Sequence, residues 1–262
     1  MDGFPNRTNV TSDTNRIKSI ERAFNIVETI SDRGSVGVTE VARDLNIPKS
    51  SVHVYLNTLA NAGYVIKDGS EYRLGHRFLQ IGGRLRSQQE LFQVAAPLLR
   101  SLARDTGELA DLMIEEGGWG VLLFKAETAD SVDDNAHIGQ HVYLHSTAMG
   151  KAILSTFSDE KIRNIIERCG IPELTPSTIS GLDELFDELE TISKTGLSFN
   201  NEERRRGVKA VGTPILSDTN ELVGAISVSG PSARMTDERM ENELADKLLE
   251  TKNIIELKID YH

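Results

Sequence analysis

Pro48 lies between two short segments whose apolar residues recur at the spacing of a helix. A proline ring disfavours helical backbone at the residue before it. The chain must therefore turn between two helices at this position. The apolar stripes of these helices are Val41, Ala42 and Leu45 before the turn, and Val52, Leu56 and Leu59 after it. We expect the first helix to begin at Thr39, whose hydroxyl suits an N-cap, and the second to run from Lys49 to Ala62.

A helix before this pair and a hairpin after it complete the predicted N-terminal domain. The preceding helix ends at Gly34, and its apolar residues are Ile20, Ala23, Phe24, Val27 and Ile30. After the pair, residues 64–66 and 72–74 predict two strands, and the loop between them contains Asp68-Gly69, a favoured hairpin turn. Three short helices followed by a hairpin form a winged helix-turn-helix, which we assign to residues 16–75.

The outer face of the third helix has an unusual composition. With the apolar stripe turned to the core, the outward residues are Lys49, Ser50, Ser51, His53, Val54 and Asn57. None of them is a carboxylate, whereas an ordinary solvated helix face carries Glu or Asp. Hydroxyl, amide and imidazole groups can reach base edges, and phosphates repel carboxylates. The pattern predicts that this helix enters the major groove of DNA, with Lys49 and Arg43 on phosphates and the hairpin as a second contact.

Charge is distributed unevenly along the chain of 262 residues. Residues 1–88 contain 12 Lys and Arg against 9 Asp and Glu, whereas the remaining residues contain 17 against 31. The overall net charge of −11 therefore belongs to the C-terminal part, and the N-terminal part is mildly basic. This asymmetry indicates a division of labour between the two parts. An acidic surface of this kind also suits a salt-adapted protein.

Composition and motifs exclude several classes of protein. The longest apolar runs, such as residues 121–124, fall far short of the roughly 20 residues of a membrane span. Residues 1–15 are polar, lack the apolar segment of a secretory signal, and are predicted to be disordered. Cys169 is the only cysteine, so the chain has neither a disulfide framework nor a multi-cysteine metal site. We expect a cytoplasmic protein without membrane contacts.

Residues 75–104 have a continuous helical pattern that Gly82-Gly83 interrupts. Glycine in a helix costs about 1 kcal/mol relative to alanine. The pair therefore indicates either a flexible joint or close packing against another helix. We assign residues 76–90 to a linker helix and residues 91–262 to a second domain.

The second domain alternates short strand patterns with helices. Strands are predicted at 109–115, 120–127, 208–216 and 222–229, and helices at about 147–156, 159–168, 183–195 and after Thr236. We expect an α+β fold, in which helices cover the faces of an antiparallel sheet. Such a fold is a natural container for a small ligand.

Metal binding and catalysis are weaker interpretations. On a helix, His137, His141 and His145 would share a face, but residues 142–144 favour a strand, where positions four apart lie about 13 Å from each other. On that strand His145 and Ser146 would point to opposite faces and could not act as a base–nucleophile pair. We therefore expect no metal, no cofactor and no enzymatic activity. A small-molecule enzyme of another type, or a sensor acting through protein contacts, remains the alternative.

Several motifs in order along the chain resemble the IclR family of transcriptional regulators, from Ile17 to about Ile259. Residues 47–53 (IPKSSVH) resemble the start of the family's recognition helix, and residues 63–65 (GYV) the entry to its wing. The matching segments of the second domain are 144–152 (LHSTAMGKA), 213–214 (TP) and 225–231 (AISVSGP).

This resemblance implies a homodimer or tetramer that binds double-stranded operator DNA. It also implies a GAF-like C-terminal domain that senses a small effector, a carboxylate or a sugar-derived metabolite, and so controls a catabolic pathway. The implied effector-binding residues are Ala148, Met149, Asn200, Ala210, Ser227 and Ser229. Asn200 stands where the family commonly has an acidic residue, and Ala210 where it often has cysteine. Residues 204–206 (RRR), Lys125 and Lys151 remain alternative anchors for an anion.

Overall fold

A computed structural model describes residues 17–128 and 136–260 of the chain. The predicted disorder of residues 1–15 lies outside these ranges. The chain divides into two compact units, Met1–Arg86 and Ser87–His262, and each is described by itself.

The first unit contains the predicted helices and hairpin. Its elements are α1 (Lys18–Arg33), β1 (Val36–Gly37), α2 (Val38–Asp44), α3 (Lys49–Asn61), β2 (Val65–Asp68), β3 (Glu71–Leu74) and α4 (Arg77–Ser87). The strands pair antiparallel in the order β1-β3-β2. β1 was not predicted, because two residues are too short for a periodic pattern. Its pairing with β3 joins the wing to the segment that leads into α2.

Two details of this unit differ from the prediction. The helix before α3 begins after Gly37 and not at Thr39, because the Glu40 carboxylate reaches back and accepts the Gly37 N–H at 2.8 Å. On α1 the buried residues are Ile26 and Ile30, whereas the predicted core residue Phe24 is 60 % exposed. α1 therefore turns part of its apolar surface outward.

The predicted interruption of the helix at Gly82-Gly83 is wrong. α4 runs through both glycines to Ser87, and α5 (Glu90–Thr106) begins after a break at Gln88 and Gln89. A Cβ added at either glycine would meet nothing within 4 Å in the described part of the chain. The glycine pair is therefore not required there for close packing.

The second unit is built on a six-stranded antiparallel sheet. Its strands are β4 (Leu109–Glu116), β5 (Trp119–Ala126), β6 (His141–Tyr143), β7 (Ser198–Asn201), β8 (Val208–Leu216) and β9 (Leu222–Pro231). They lie in the order β6-β5-β4-β9-β8-β7, which confirms the α+β class and the antiparallel sheet. β7 was not predicted, because its sequence Ser-Phe-Asn-Asn is poor in strand-forming residues.

Helices cover both faces of the sheet. Besides α5 they are α6 (Ala148–Leu154), α7 (Asp159–Cys169), α8 (Leu182–Thr195), α9 (Asp237–Arg239) and α10 (Ala245–Asp260), with a π-helical segment, Met240–Leu244, between the last two. Ser158 and Thr236 cap the starts of α7 and α9, where their side-chain oxygens accept backbone N–H groups.

Each face of the sheet has its own apolar core. One core joins α5 and α10 to the sheet, and the other joins α6, α7 and α8 to the opposite face. All seven residues of α6 are buried between the sheet and α8. Within the described ranges, no helix has the length and apolarity that crossing a membrane requires.

Candidate functional site

The turn between α2 and α3 orients α3 so that its outer face is accessible. Asn46 adopts a left-handed conformation with φ of 51°, which asparagine tolerates better than most residues, and buried Ile47 anchors the turn in the core. Val52 and Leu56 are buried beneath the helix. Five of the six predicted contact residues are exposed, Lys49, Ser50, His53, Val54 and Asn57, whereas Ser51 is half-buried. The structure therefore brings these residues together on one accessible face.

The first turn of α3 carries no acidic residue, and among the residues that the structure describes no side chain caps its N-terminus. The backbone N–H groups at the start of a helix favour an anion. Lys49 is the first residue of this turn. This end of α3 is therefore electrostatically suited to a phosphate.

Arg43 lies on α2, one helix away from this face. Its Nε is 3.1 Å from Asp44 Oδ1, and Asp44 Oδ2 also lies 2.6 Å from Arg33 Nη2. The Arg43 side chain is 68 % exposed, so the Arg43–Asp44 pair contributes little to stability. Arg43 can exchange this partner for a phosphate at low cost.

In the second unit, strand pairing aligns the predicted effector residues. Directly paired residues of an antiparallel sheet point to the same face. Asn200 pairs with Ala210, and Ala210 pairs with Ser229, so these three form one row across β7, β8 and β9. Two positions along the strands, the next row on the same face contains Ser198, Gly212 and Ser227, and Asp111 on β4 extends it.

The start of α6 lies directly over these two rows. A Cβ at Gly212 would be only 2.9 Å from the carbonyl carbon of Ala148 and 3.0 Å from the Met149 nitrogen. Ser198 Oγ donates to the Ala148 carbonyl at 2.5 Å. The structure therefore brings all six predicted effector residues together as a buried cluster, which we name the effector cluster: Ala148, Met149, Asn200, Ala210, Ser227 and Ser229.

Asn200 has a defined role within the effector cluster. Its Nδ2 donates to the Ser146 carbonyl at 2.6 Å, which ties β7 to the segment before α6. An ionised carboxylate has no proton to donate here. The amide therefore makes a contact that an ionised acidic residue at this position could not make.

A buried ionic cluster that the sequence analysis did not identify lies beside this site. Lys151, on α6, is 1 % exposed, and its Nζ lies 2.8 Å from Glu203 Oε1 and 3.0 Å from Glu188 Oε1. Burial, opposed by the Lys151 charge, raises the pKa of Glu203 above its ordinary value. With both carboxylates this close, Lys151 is an internal bridge between α6, α8 and the loop after β7. It is not an open anchor for an effector.

His145 is also part of the interior. Its Nε2 lies 3.1 Å from the Pro172 carbonyl oxygen, and burial lowers the pKa of its imidazole. Ser146 Oγ donates instead to the Tyr143 carbonyl, so the two side chains do not form a base–nucleophile pair. The strand predicted at residues 142–144 exists as β6, but it ends at Tyr143, and His145 and Ser146 lie in a 3-10 helix over residues 144–146. In the described part of the chain, no group of three or more His, Cys, Asp or Glu could hold a metal ion.

Two family models match the two units. The IclR helix-turn-helix domain matches residues 19–69, and the bacterial transcriptional regulator IclR C-terminal domain matches residues 84–256. Together they cover most of the chain. The first match contains α3, and the second contains the whole effector cluster.

Curated relatives align over most of their own length. The probable HTH-type transcriptional regulator ArcR of Halobacterium salinarum is 27 % identical over 94 % of this chain and 95 % of its own. The transcriptional repressor IclR of Escherichia coli is 27 % identical over 87 % and 85 %, and the repressor AllR of the same organism is 28 % identical over 85 % and 83 %. These relatives are regulators of transcription and not enzymes.

Solved structures agree with this assignment. The Thermotoga maritima IclR crystal structure superposes with a TM-score of 0.78 at 30 % identity, over 94 % of this chain and all of the other. A homolog from Microbacterium hydrocarbonoxydans, solved with 4-hydroxybenzoate, shares the fold with a TM-score of 0.78 at 19 % identity over 93 % of this chain and all of its own. This chain is therefore a member of the IclR family of transcriptional regulators.

Proposed function

We propose that the outer face of α3 reads operator DNA from the major groove. The observation that carries this proposal is the accessible, carboxylate-free face of α3 with Lys49 at its N-terminus. Lys49 and Arg43 contact phosphates, and Ser50, Ser51, His53, Val54 and Asn57 approach base edges. The wing, β2 and β3, supplies a second contact.

Lys49→Ala tests this proposal through the salt dependence of binding. Removal of one phosphate contact weakens binding to all sequences alike and lowers the slope of log affinity against log salt by about one. Lys18→Ala, which removes an exposed lysine from α1, is the matched control and leaves the slope unchanged. An unchanged slope for Lys49→Ala would show that Lys49 does not contact phosphate.

We propose that the chain acts as a homodimer or tetramer, so that two winged units reach successive major grooves about 34 Å apart. Exposed apolar side chains on two helices of the first unit support this: Ile20 and Phe24 on α1, and Leu79 and Leu85 on α4. Leu85→Glu, measured by light scattering, is expected to favour the monomer. A fully dimeric variant would exclude this face of α4 from the interface.

We propose that the effector cluster binds a small carboxylate or sugar-derived metabolite and thereby controls a catabolic pathway. Support comes from buried polar side chains on one face of the sheet, the hydroxyls of Ser227 and Ser229 on β9 and the amide of Asn200 two strands away on β7. Buried polar groups of this kind orient a ligand in an otherwise apolar site. The effector unit extends over residues 91–262, with residues 76–90 as the linker, and the protein acts in the cytoplasm.

Thermal-shift screening tests the effector proposal. The probes are small carboxylic acids, sugar acids and 4-hydroxybenzoate, the ligand of the Microbacterium homolog. A probe that raises the melting temperature of the wild type is expected to lose this effect in Ser227→Ala and Ser229→Ala. The exposed Ser180→Ala serves as control and keeps the effect. Equal stabilisation of all variants would place the ligand elsewhere.

A further inference from the structure

The chain that returns from the wing passes directly against the end of α3. Gly75 donates its N–H to the Tyr64 carbonyl at 2.8 Å. A Cβ at Gly75 would lie 2.5 Å from the Gly63 carbonyl oxygen, so this approach requires glycine. α4 therefore starts beside the residues that end α3.

The first two residues of α4, Arg77 and Phe78, both pack against the Tyr64 ring. The Arg77 guanidinium carbon lies 4.8 Å from the centre of the Tyr64 ring, and the centre of the Phe78 ring lies 5.1 Å from it. Arg77 also donates from Nη1 to the carbonyl of Ala62, the C-cap residue of α3. We name these contacts the α3–α4 junction.

We infer that Arg77 is a positioning residue for DNA binding, which fixes α3 to α4 through the α3–α4 junction. This inference rests on the proposed role of α3. Besides the junction, the covalent path from α3 to α4 runs through the whole β2–β3 hairpin. Contacts to base edges require side chains held in a narrow range of positions, and a loosened recognition helix must be ordered again on binding.

The alternative role for Arg77 is a direct contact with a DNA phosphate, because its side chain is exposed and cationic. A direct phosphate contact would depend on its charge. A positioning role depends instead on the flat guanidinium, which stacks on a ring and donates along a fixed direction. The two roles therefore predict different results for Arg77→Lys and for the salt dependence.

The experiment compares wild type, Arg77→Ala and Arg77→Lys on a duplex that the wild type selects from a random library. Positioning predicts that Arg77→Ala binds about tenfold more weakly with an unchanged salt slope. Arg77→Lys is expected to show most of the same loss, although it keeps the charge. A slope lowered by about one in Arg77→Ala, with full rescue by lysine, would overturn the inference.

A double-mutant cycle with Tyr64→Leu tests whether the junction acts as one element. Because the two changes share the Arg77–Tyr64 contact, the loss of affinity in Arg77→Ala with Tyr64→Leu is expected to be smaller than the sum of the two single losses. Additive losses would contradict the inference. Arg84→Ala removes an arginine two turns further along α4, and it is expected to bind as the wild type does.

These results separate the inference from the proposal that underlies it. A wild type that selects no sequence from the library would refute DNA reading by α3. A wild type that selects one, and that Arg77→Ala matches in affinity, would refute only the positioning role. Circular dichroism of each variant confirms that the first unit remains folded.

Discussion

The pKa values of two buried carboxylates in the second unit, Glu108 and Glu203, are shifted in opposite directions from the ordinary value. Glu108 Oε2 lies 2.7 Å from Arg234 Nη2, and its Oε1 lies 2.8 Å from Arg239 Nη1. Burial alone would raise the pKa of Glu108, but the hydrogen bonds and charges of the two arginines lower it below the ordinary value. Glu203 has one lysine and a second carboxylate beside it, so burial prevails and its pKa is raised.

The lowered pKa of Glu108 predicts a pH-dependent contribution to stability. The ionised form is favoured in the folded state, so the contribution is present above the ordinary value of 4.5 and is lost as the pH falls through the folded pKa. Glu108→Gln is expected to lower the free energy of unfolding at pH 7 by roughly 2 kcal/mol, and by less in acid. Denaturant unfolding at both pH values measures this.

The matched control for Glu108→Gln is Glu241→Gln, an exposed carboxylate of the π-helical segment. It is expected to change the free energy of unfolding by less than about 0.5 kcal/mol. If the deficit of Glu108→Gln were the same at neutral and acid pH, the ionised pairs with Arg234 and Arg239 would not be its cause.

Asn57 lies in the exposed middle of α3, where an amide can pair with an adenine edge. Asn57→Ala is expected to reduce discrimination at one base pair of each half-site by about tenfold while it leaves the salt slope unchanged. Affinities for a panel of single-base variants measure this. Asn61→Ala, at the end of the same helix, is the control. An equal loss for every base pair would mean that Asn57 does not read sequence.

At the scale of elements, α4 and α5 are separate helices, and the break at Gln88-Gln89 lies just after the division between the units, which falls between Arg86 and Ser87. Gly82 and Gly83 have helical backbone, and a Cβ at either would meet nothing within 4 Å among the described residues. We therefore expect the joint between the two units to lie at this break and not at the glycines.

Replacement of both glycines by alanine tests this location of the joint. Each change is expected to stabilise α4 by up to about 1 kcal/mol, because alanine has the higher helix propensity. The change in operator affinity that an effector causes should stay as in the wild type. Gel shifts with and without effector measure it. A smaller effector-induced change in operator affinity than in the wild type would place the joint at the glycine pair.

Periodicity in the sequence predicted the elements that bury a stripe of their own. One example is α3, which buries Val52 and Leu56, and another is the helical segment after Thr236, whose buried residues include Met240, Leu248 and Ile255. It missed β1 and β7, which are short and are strands only because β3 and β8 pair with them. The exposure of Phe24 was missed for a related reason. The apolar face of α1 is broad, and only part of it is buried in the core.

The family resemblance was enough to name the residues of the effector cluster. The contacts that surround and hold these residues could not be predicted from the sequence. Lys151 and Glu203 are 52 positions apart in sequence, and their contact exists only because the loop after β7 folds against α6. A lysine and a glutamate at such a distance carry no local signal. The α3–α4 junction is similar, since Arg77 and Ala62 meet only after the hairpin has formed.

At the scale of the whole molecule, the uneven charge matches a division of labour. The DNA-binding part carries the excess of basic residues, and the acidic excess lies in the part that contains the effector cluster. A modest positive charge supplies modest nonspecific attraction to DNA. Base contacts from α3 are therefore expected to provide a large share of specific affinity, and so to determine where the protein binds.

Selection of bound sequences from a random duplex library tests the central claim most directly. The wild type is expected to enrich a near-palindromic site whose half-sites are one helical turn, about 10 base pairs, or a multiple of it apart. Asn57→Ala should enrich the same site with one symmetric position relaxed. A wild type that enriches no sequence at any protein concentration would contradict the claim that α3 reads DNA.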